Sequence, residues 1–112
     1  MNIIEQAKNF YELIGIDMFK DISAYMAYGY VFKTPDSLLL GKAVDTNAEL
    51  HPAAQWNVKK PDAWYVHMAV GKVGVSEFIK CIPYPLPKVG WMRHLKNKPV
   101  KFYDFKRIIR RK

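Results

Sequence analysis

Basic and aromatic residues are interspersed over the last quarter of the chain. The last 25 residues contain ten Lys or Arg and a single acidic residue, Asp104. Basic side chains neutralise phosphates, and aromatic rings such as those of Trp91 and Tyr103 can stack on unpaired bases. The basic candidates for anion or nucleic-acid binding are Arg93, Lys96, Lys98, Lys101, Lys106, Arg107, Arg110, Arg111 and Lys112.

The two halves of the chain carry opposite net charge. Residues 1–56 contain four Lys and seven acidic residues, whereas residues 57–112 contain fourteen Lys or Arg and three acidic residues. This asymmetry favours an acidic partner for the second half, either nucleic acid or an acidic protein surface. Two alternatives stay open: a hydrated surface that keeps the protein in solution, and a basic amphipathic helix on a membrane surface.

The histidines and the cysteine do not form a recognisable catalytic or metal-binding pattern. The histidines, at positions 51, 67 and 94, lack the close spacing of a zinc motif, and one cysteine does not complete a cysteine-rich site. We expect His67, inside an apolar strand pattern, to be structural, and Cys81, beside Phe78, Ile79 and Ile82, to be a buried, inert thiol. We therefore predict no catalytic residues, no metal and no cofactor.

Two further groups of residues are weaker candidates for a functional site. Asp17 and Asp21 are four residues apart and could share a helix face, where exposed carboxylates normally only interact with water. Gly71, Lys72 and Gly74 precede a predicted helix, and backbone N–H groups in such a turn can bind an anion. A tight turn between a strand and a helix needs glycine as well, so this pattern is compatible with either role.

The segment CIPYPLPKVGWM, residues 81–92, has prolines at every second position. Peptides that dock as PxxP ligands have prolines three residues apart, so this segment does not match them. Alternating prolines stiffen an extended chain. We expect the segment to lead the chain from a helix into the next strand.

The first half of the chain predicts two helical segments and a hairpin. Apolar residues recur at helical spacing over residues 2–14, and a short helical turn is indicated around Asp17–Ile22. Residues 24–33 are rich in Tyr, Val and Phe, which is typical of a strand. The Thr34–Ser37 segment has turn chemistry, and residues 38–44 form the predicted return strand.

The second half predicts three strands and one intervening helix. The predicted elements are a loop from Asp45 to Asp62, a central strand over 63–70 covered on both faces, a helix over 75–82, paired strands over 88–95 and 99–103, and a final helical turn capped by Asp104. The order α-β-β-loop-β-α-β-β predicts a single α+β domain, residues 1–112, with an antiparallel sheet and a basic C-terminal end.

Composition sets limits on the class of protein. Half of the 112 residues are hydrophobic and 14% are aromatic, which is too apolar for a disordered chain. The single cysteine fits a reducing compartment. We read no signal peptide at the N-terminus, and the apolar runs are too short for a transmembrane helix.

The stretch IPYPLPKVGWMRHLKNKPVKFYDFKRI, residues 82–108, resembles the ends of small bacteriophage accessory proteins, in which a YPLP-type element precedes an aromatic, basic hairpin. The resemblance covers about a quarter of the chain. It implies a phage-encoded, virion-associated role, in the host cytoplasm or in the virion, and membership of a larger assembly.

The order of elements also resembles a degenerate acyltransferase of the GNAT type. Enzymes of that type hold the pyrophosphate of coenzyme A with a glycine-containing loop before a helix, and Val70–Val75 occupies the corresponding place. This resemblance implies a cofactor contact at Gly71, Lys72 and Gly74.

Together these patterns predict a non-enzymatic accessory or structural binding subunit that uses its C-terminal basic and aromatic residues. A degenerate acyltransferase and an inhibitor of a host protein are the alternatives.

Overall fold

The computed structural model describes residues 18–34, 37–71, 80–91 and 100–110, together with Glu5, Lys8, Asn9 and Glu12; for Thr34 and residues 108–110 it describes the backbone only. The four single residues are helical and exposed, inside the predicted helix 2–14. The rest of that helix, and most of the predicted helix 75–82, lie outside the described residues.

The described elements form a single α+β domain, as predicted. They are helix α1 (Met18–Tyr28), strands β1 (Tyr30–Thr34) and β2 (Ser37–Val44), a 3₁₀ helix (Pro52–Ala54), strands β3 (Ala63–Gly71), β4 (Lys88–Trp91) and β5 (Lys101–Asp104), and helix α2 (Phe105–Arg110). The sheet has the order β1-β2-β3-β4-β5. The loop after β2 and the final helix lie where the sequence predicts them.

Helix α1 is longer than the sequence indicates. Residues 24–28 belong to α1, so the prediction that a strand begins at residue 24 is wrong. Ala and Met are strong helix formers, and they favour continuation of the helix despite the neighbouring tyrosines. Met18, Ile22 and Tyr25 recur at spacings of four and three and pack against the sheet, and this burial stabilises the helix.

The sheet is mixed rather than wholly antiparallel. The pairs β1–β2, β2–β3 and β4–β5 are antiparallel, as predicted, whereas β3 and β4 are parallel. Parallel neighbours need a long crossover connection, and residues 72–87 provide one of ordinary length between β3 and β4. The helix that the sequence predicts between these two strands is a signal for their parallel pairing.

Both sides of the sheet are covered. On the helix side, Leu38, Leu40 and Met68 pack with Met18 and Tyr25 of α1. On the opposite side, which we call the crossover side, Trp64 and Val89 pack with Ile82, Leu86 and Phe105. Residues 63–68 of β3 are buried, which confirms the prediction that this strand is covered on both faces.

The proline-rich segment lies over the crossover side. The indole Nε1 of Trp64 donates a hydrogen bond to the carbonyl oxygen of Tyr84 at 3.0 Å, and the two rings are in contact, with centroids 5.1 Å apart. Leu86 packs in the same cluster, and Lys88 then begins β4. The segment therefore leads the chain across Trp64 into β4, as predicted.

Candidate functional site

The C-terminal residues predicted to bind anions divide into described and undescribed members. Lys101, Lys106 and Arg107 are exposed, and Trp91 and Tyr103 are partly buried. We call these five residues the C-terminal face. The remaining candidates, Arg93, Lys96, Lys98, Arg111, Lys112 and the side chain of Arg110, lie outside the described residues.

The pairing of β4 with β5 positions the C-terminal face. Trp91 lies directly opposite Lys101, so their side chains project from the same side of the sheet about 5 Å apart at Cβ. Gly90 permits this close pairing. A Cβ at that position would lie 2.6 Å from the Lys101 carbonyl oxygen and 2.7 Å from the ring of Phe102, so a larger residue would force the strands apart.

Trp91 and Tyr103 form an aromatic stack on the crossover side. Val89, two residues before Trp91, lies opposite Tyr103, so the two aromatic residues are diagonal neighbours on one side of the sheet. Their ring centroids are 5.1 Å apart and their planes differ by 16°. Trp91 also packs against the buried Leu39 and Val66. The stack is therefore fixed to the core while part of its surface stays accessible.

Helix α2 directs two basic side chains outward. The side chain of Asp104 accepts a hydrogen bond from the backbone N–H of Lys106 at 2.9 Å, which confirms its predicted capping role. The ring of Phe105 packs inward against the cluster of Trp64 and Val89. With Phe105 turned inward, Lys106 and Arg107 lie exposed beside the strand end.

The basic side chains of the C-terminal face are not neutralised within the described part of the chain. Neither of the ion pairs there includes Lys101, Lys106 or Arg107. Lys88, by contrast, lies 3.8 Å from a carboxylate oxygen of Asp62. The positive charge of the three exposed residues therefore remains available to an external anion.

A second group of polar and aromatic residues lies on the helix side of the sheet. We call Asp21, Lys42, Trp56, Tyr65 and His67 the buried lysine cluster. The Lys42 ammonium lies 3.4 Å from the centroid of the Trp56 ring and donates a hydrogen bond to the Ala53 carbonyl oxygen at 2.8 Å. Because only 2% of Lys42 is exposed, this charge is held by the ring and the carbonyl group rather than by water.

Three side chains of this cluster form a hydrogen-bonded chain. His67 Nε2 lies 2.8 Å from Asp21 Oδ2, and His67 Nδ1 lies 2.9 Å from the Tyr65 hydroxyl. A carboxylate only accepts hydrogen bonds, so in the neutral ring Nε2–H donates to Asp21 and Nδ1 accepts from the Tyr65 O–H. The chain connects α1 to the centre of the sheet. His67 is buried in β3, as predicted, and Asp21 is not merely a solvated carboxylate, because it bonds the His67 ring.

Burial controls the ionisation of this cluster. It lowers the pKa of Lys42 to about 8, although the nearby charge of Asp21 opposes the change. It also lowers the pKa of His67 below the usual value, against the hydrogen bond and charge of Asp21. Burial and the same carboxylate raise the pKa of the Tyr65 hydroxyl. A raised pKa is the opposite of what a tyrosine nucleophile needs, because the reactive form is the phenolate.

The buried lysine cluster lacks access for a substrate. Tyr65 and Lys42 are 0% and 2% exposed, so neither the hydroxyl nor the amine can meet a reactant without the surrounding structure opening. The arrangement can hold α1 and the loop after β2 against the sheet. The sequence contained a signal for the burial of Lys42. Side chains alternate along the strand Ser37–Val44, which places Lys42 on the same side of the sheet as Leu38 and Leu40.

The loop after β2 is stabilised by two polar side chains. Gln55 is buried and bonds the backbone of Asp45 through both its amide oxygen and its nitrogen, and Nε2 also bonds the Leu50 carbonyl oxygen. Asp62 accepts hydrogen bonds from the backbone and hydroxyl of Thr46. Burial opposes ionisation of Asp62, but these bonds and the charge of Lys88 outweigh it, so its pKa lies below the usual value.

Two clefts flank this loop. One, of about 370 Å³, is bordered by Leu50, Trp56 and Val58, and the other, of about 240 Å³, by His51, Val100 and Phe102. His51 is a loop residue, as predicted, and its Nδ1 accepts a hydrogen bond from the Ala53 N–H at 3.0 Å. The first cleft is lined mainly by apolar side chains, whereas the second also has the polar side chains of Asp45, Thr46 and Glu49 on its walls.

The remaining sequence candidates are only partly described. Cys81 is exposed, so the prediction of a buried thiol is wrong. Ile82, the next residue, packs into the core instead, and the chain turns the two side chains to different sides. Gly71 ends β3 with a φ of 103°, a backbone conformation that favours glycine. Lys72 and Gly74 lie outside the described residues, as does His94.

Comparison with family models, with curated proteins and with solved structures finds no match to this chain. Among the described residues, no group of His, Cys, Asp or Glu has the arrangement of a metal site. The helices of the described segments are too short or too polar to cross a membrane.

Proposed function

We propose that this protein is a non-enzymatic binding subunit that contacts nucleic acid through its C-terminal face. The observation that carries the proposal is the contrast in exposure between groups of similar chemistry. Lys101, Lys106 and Arg107 are exposed and without a carboxylate partner in the described part of the chain, whereas Lys42 is buried.

The geometry of the C-terminal face favours a polyanion over a single small anion. Lys101 is at the start of β5 and Lys106 lies beyond its end, so the strand alone separates them by about 10 Å. Cationic residues spread along the chain in this way match a row of phosphates better than one small anion. A chain of phosphates can contact both, and neutralising several phosphates releases condensed counterions.

The direct test is the dependence of binding on salt. Fluorescently labelled DNA and RNA strands are titrated with the full chain at several salt concentrations. We expect the logarithm of the association constant to fall linearly with the logarithm of the salt concentration. Absence of binding at low salt, or a slope near zero, would contradict phosphate neutralisation.

A second titration separates nucleic acid from an acidic protein. A polyglutamate peptide carries a row of negative charges but neither phosphates nor bases. We expect it to bind more weakly than a DNA or RNA strand of equal charge. Equal or tighter binding of the peptide would favour an acidic protein surface as the partner.

The phage-encoded, virion-associated role is the part of this proposal that rests on the resemblance of residues 82–108. The neighbouring genes test it. Capsid and tail genes beside the coding sequence would support a virion component, and early genes would support an inhibitor of a host protein.

A further inference from the structure

We infer that the nucleic acid bound by the C-terminal face is single-stranded, with an unpaired base stacking on Trp91 and Tyr103. This inference rests on the proposed function and adds the class of ligand to it. The relevant observation is that the rings of Trp91 and Tyr103 are stacked, with centroids 5.1 Å apart and planes within 16°. An exposed lysine, Lys101, lies beside this stack.

The first step of the argument is the rigidity of the stack. Trp91 is held by the buried side chains of Leu39 and Val66, and its backbone is paired with Lys101 in the sheet. An aromatic surface that is already fixed loses little conformational entropy when a ligand binds. Trp91 and Tyr103 are each partly exposed.

The second step is the position of the charge. Lys101 lies directly opposite Trp91 on the same side of the sheet and is exposed. In a nucleic-acid strand each base is attached to a sugar next to a phosphate, so a base on the rings brings a phosphate near the lysine. Grooves that bind single strands combine basic side chains with aromatic stacking in this way.

The third step excludes a duplex as the preferred ligand. In a duplex the faces of the bases are covered by their neighbours, and only an unpaired base presents a face to an aromatic ring. Duplex DNA offers its phosphates, which would use Lys101, Lys106 and Arg107 but not the stack.

The test compares single strands with a duplex at one salt concentration. Labelled oligodeoxyuridine, oligouridine and a blunt DNA duplex of equal length are titrated with the full chain. We expect both single strands to bind at least about tenfold more tightly than the duplex, since stacking adds to phosphate contact. The DNA and RNA strands show which sugar is preferred. Equal affinity for the duplex would overturn the inference.

Variants then show whether the stack is responsible. We expect Trp91→Leu to weaken single-strand binding about tenfold and to leave duplex binding unchanged. Tyr103→Leu serves the same purpose and decides the question if circular dichroism shows that Trp91→Leu is unfolded. The control is Tyr28→Leu, which removes a ring that is 61% exposed on α1 and should not change either affinity. Unchanged single-strand affinity in a folded stack variant would overturn the inference.

Failure of the inference is distinguishable from failure of the proposed function. Binding of the duplex and the single strands with equal, salt-dependent affinity would leave the proposed function standing and remove the single-strand preference. Absence of binding to all three ligands at low salt would contradict both.

Discussion

The buried lysine cluster and the C-terminal face contain the same kinds of residue in opposite environments. In the cluster, the Lys42 ammonium lies 3.4 Å from the Trp56 ring centre and is almost fully enclosed. On the C-terminal face, Lys101 is opposite Trp91 in the sheet register but its side chain is exposed. The first cation interacts with the protein itself, and the second is available to a ligand.

The difference shows that burial, rather than residue type, determines whether a lysine stabilises the fold or is available for binding. A buried lysine must be compensated by a carbonyl group and by aromatic rings, or it destabilises the fold. An exposed lysine adds little to stability and attracts anions. Variants in the cluster should therefore change the free energy of unfolding, and variants on the C-terminal face should change affinity.

The largest effect on stability is expected for Trp56→Ala. This change removes the ring over Lys42 and the edge contact with Tyr25, whose ring centroid is 5.1 Å away. We expect the free energy of unfolding, measured by urea denaturation, to fall by about 3 kcal/mol. Trp56→Phe is the control. It keeps an aromatic ring over the lysine, so its free energy of unfolding should fall by less. Equal loss in both variants would mean that the ring is not what holds Lys42.

The pH dependence of stability should show the burial of Lys42. The pKa of its amine is about 8 in the folded protein and returns to the ordinary lysine value of 10.5 on unfolding, so between these values the unfolded state binds more protons. The free energy of unfolding should then rise with pH over this range, by about 2 kcal/mol. Cation–π contacts favour the protonated amine and limit the rise.

Lys42→Met provides the matched control for this pH dependence. It keeps a long side chain in the same place and removes the titrating amine. The rise in stability between the folded and unfolded pKa values of Lys42 should largely disappear in this variant. A rise as large as that of the unsubstituted protein would show that other groups cause it.

A smaller effect is expected for Asp21→Ala. The change leaves the buried Nε2–H of His67 without its acceptor at 2.8 Å, which should cost about 1.5 kcal/mol. Asp21→Asn keeps an acceptor at the same place and should retain most of the stability. If thermal or urea unfolding gives the same stability for both variants, the hydrogen bond to His67 does not contribute as described.

The same pair of variants can be followed as the pH falls. Because the pKa of His67 is lowered in the folded protein, the unfolded state takes up the proton first, and stability should decline as the pH falls below 6.5. Asp21→Ala removes the carboxylate that opposes the lowering of the His67 pKa. The decline in stability at low pH should therefore be steeper in this variant.

The smallest effect on stability is expected on the C-terminal face. Lys106→Ala and Arg107→Ala remove exposed side chains, so each should change the free energy of unfolding by less than about 0.5 kcal/mol. Both should weaken binding to a nucleic-acid strand. Lys33→Ala, at an exposed position on the opposite edge strand, is the matched control and should leave binding nearly unchanged.

The sequence predicts those parts of the fold whose signals are local. The turn chemistry of Thr34–Ser37 predicts the β1–β2 hairpin, and the apolar run 63–70 predicts β3. Residues 24–28 mislead because tyrosine favours strands while alanine and methionine favour helices. Packing of Tyr25 against the sheet decides between them, and that contact is not local in sequence.

The candidate sites differ in how much the sequence reveals. The basic and aromatic character of the C-terminal face is visible in composition, but the stacking of Trp91 on Tyr103 depends on the register of β4 and β5. The bond between Asp21 and His67 joins residues 46 positions apart and has no local signal. Spacing within a segment cannot predict contacts of this kind.

The central claim is that the exposed charges of the C-terminal face neutralise phosphates. The most direct measurement is the salt dependence of single-strand affinity for the unsubstituted protein and for the triple variant Lys101→Ala, Lys106→Ala, Arg107→Ala. Each phosphate contact contributes about 0.7 to the slope for single strands, so the slope should become shallower by about 2. An unchanged slope in a folded triple variant would contradict the claim.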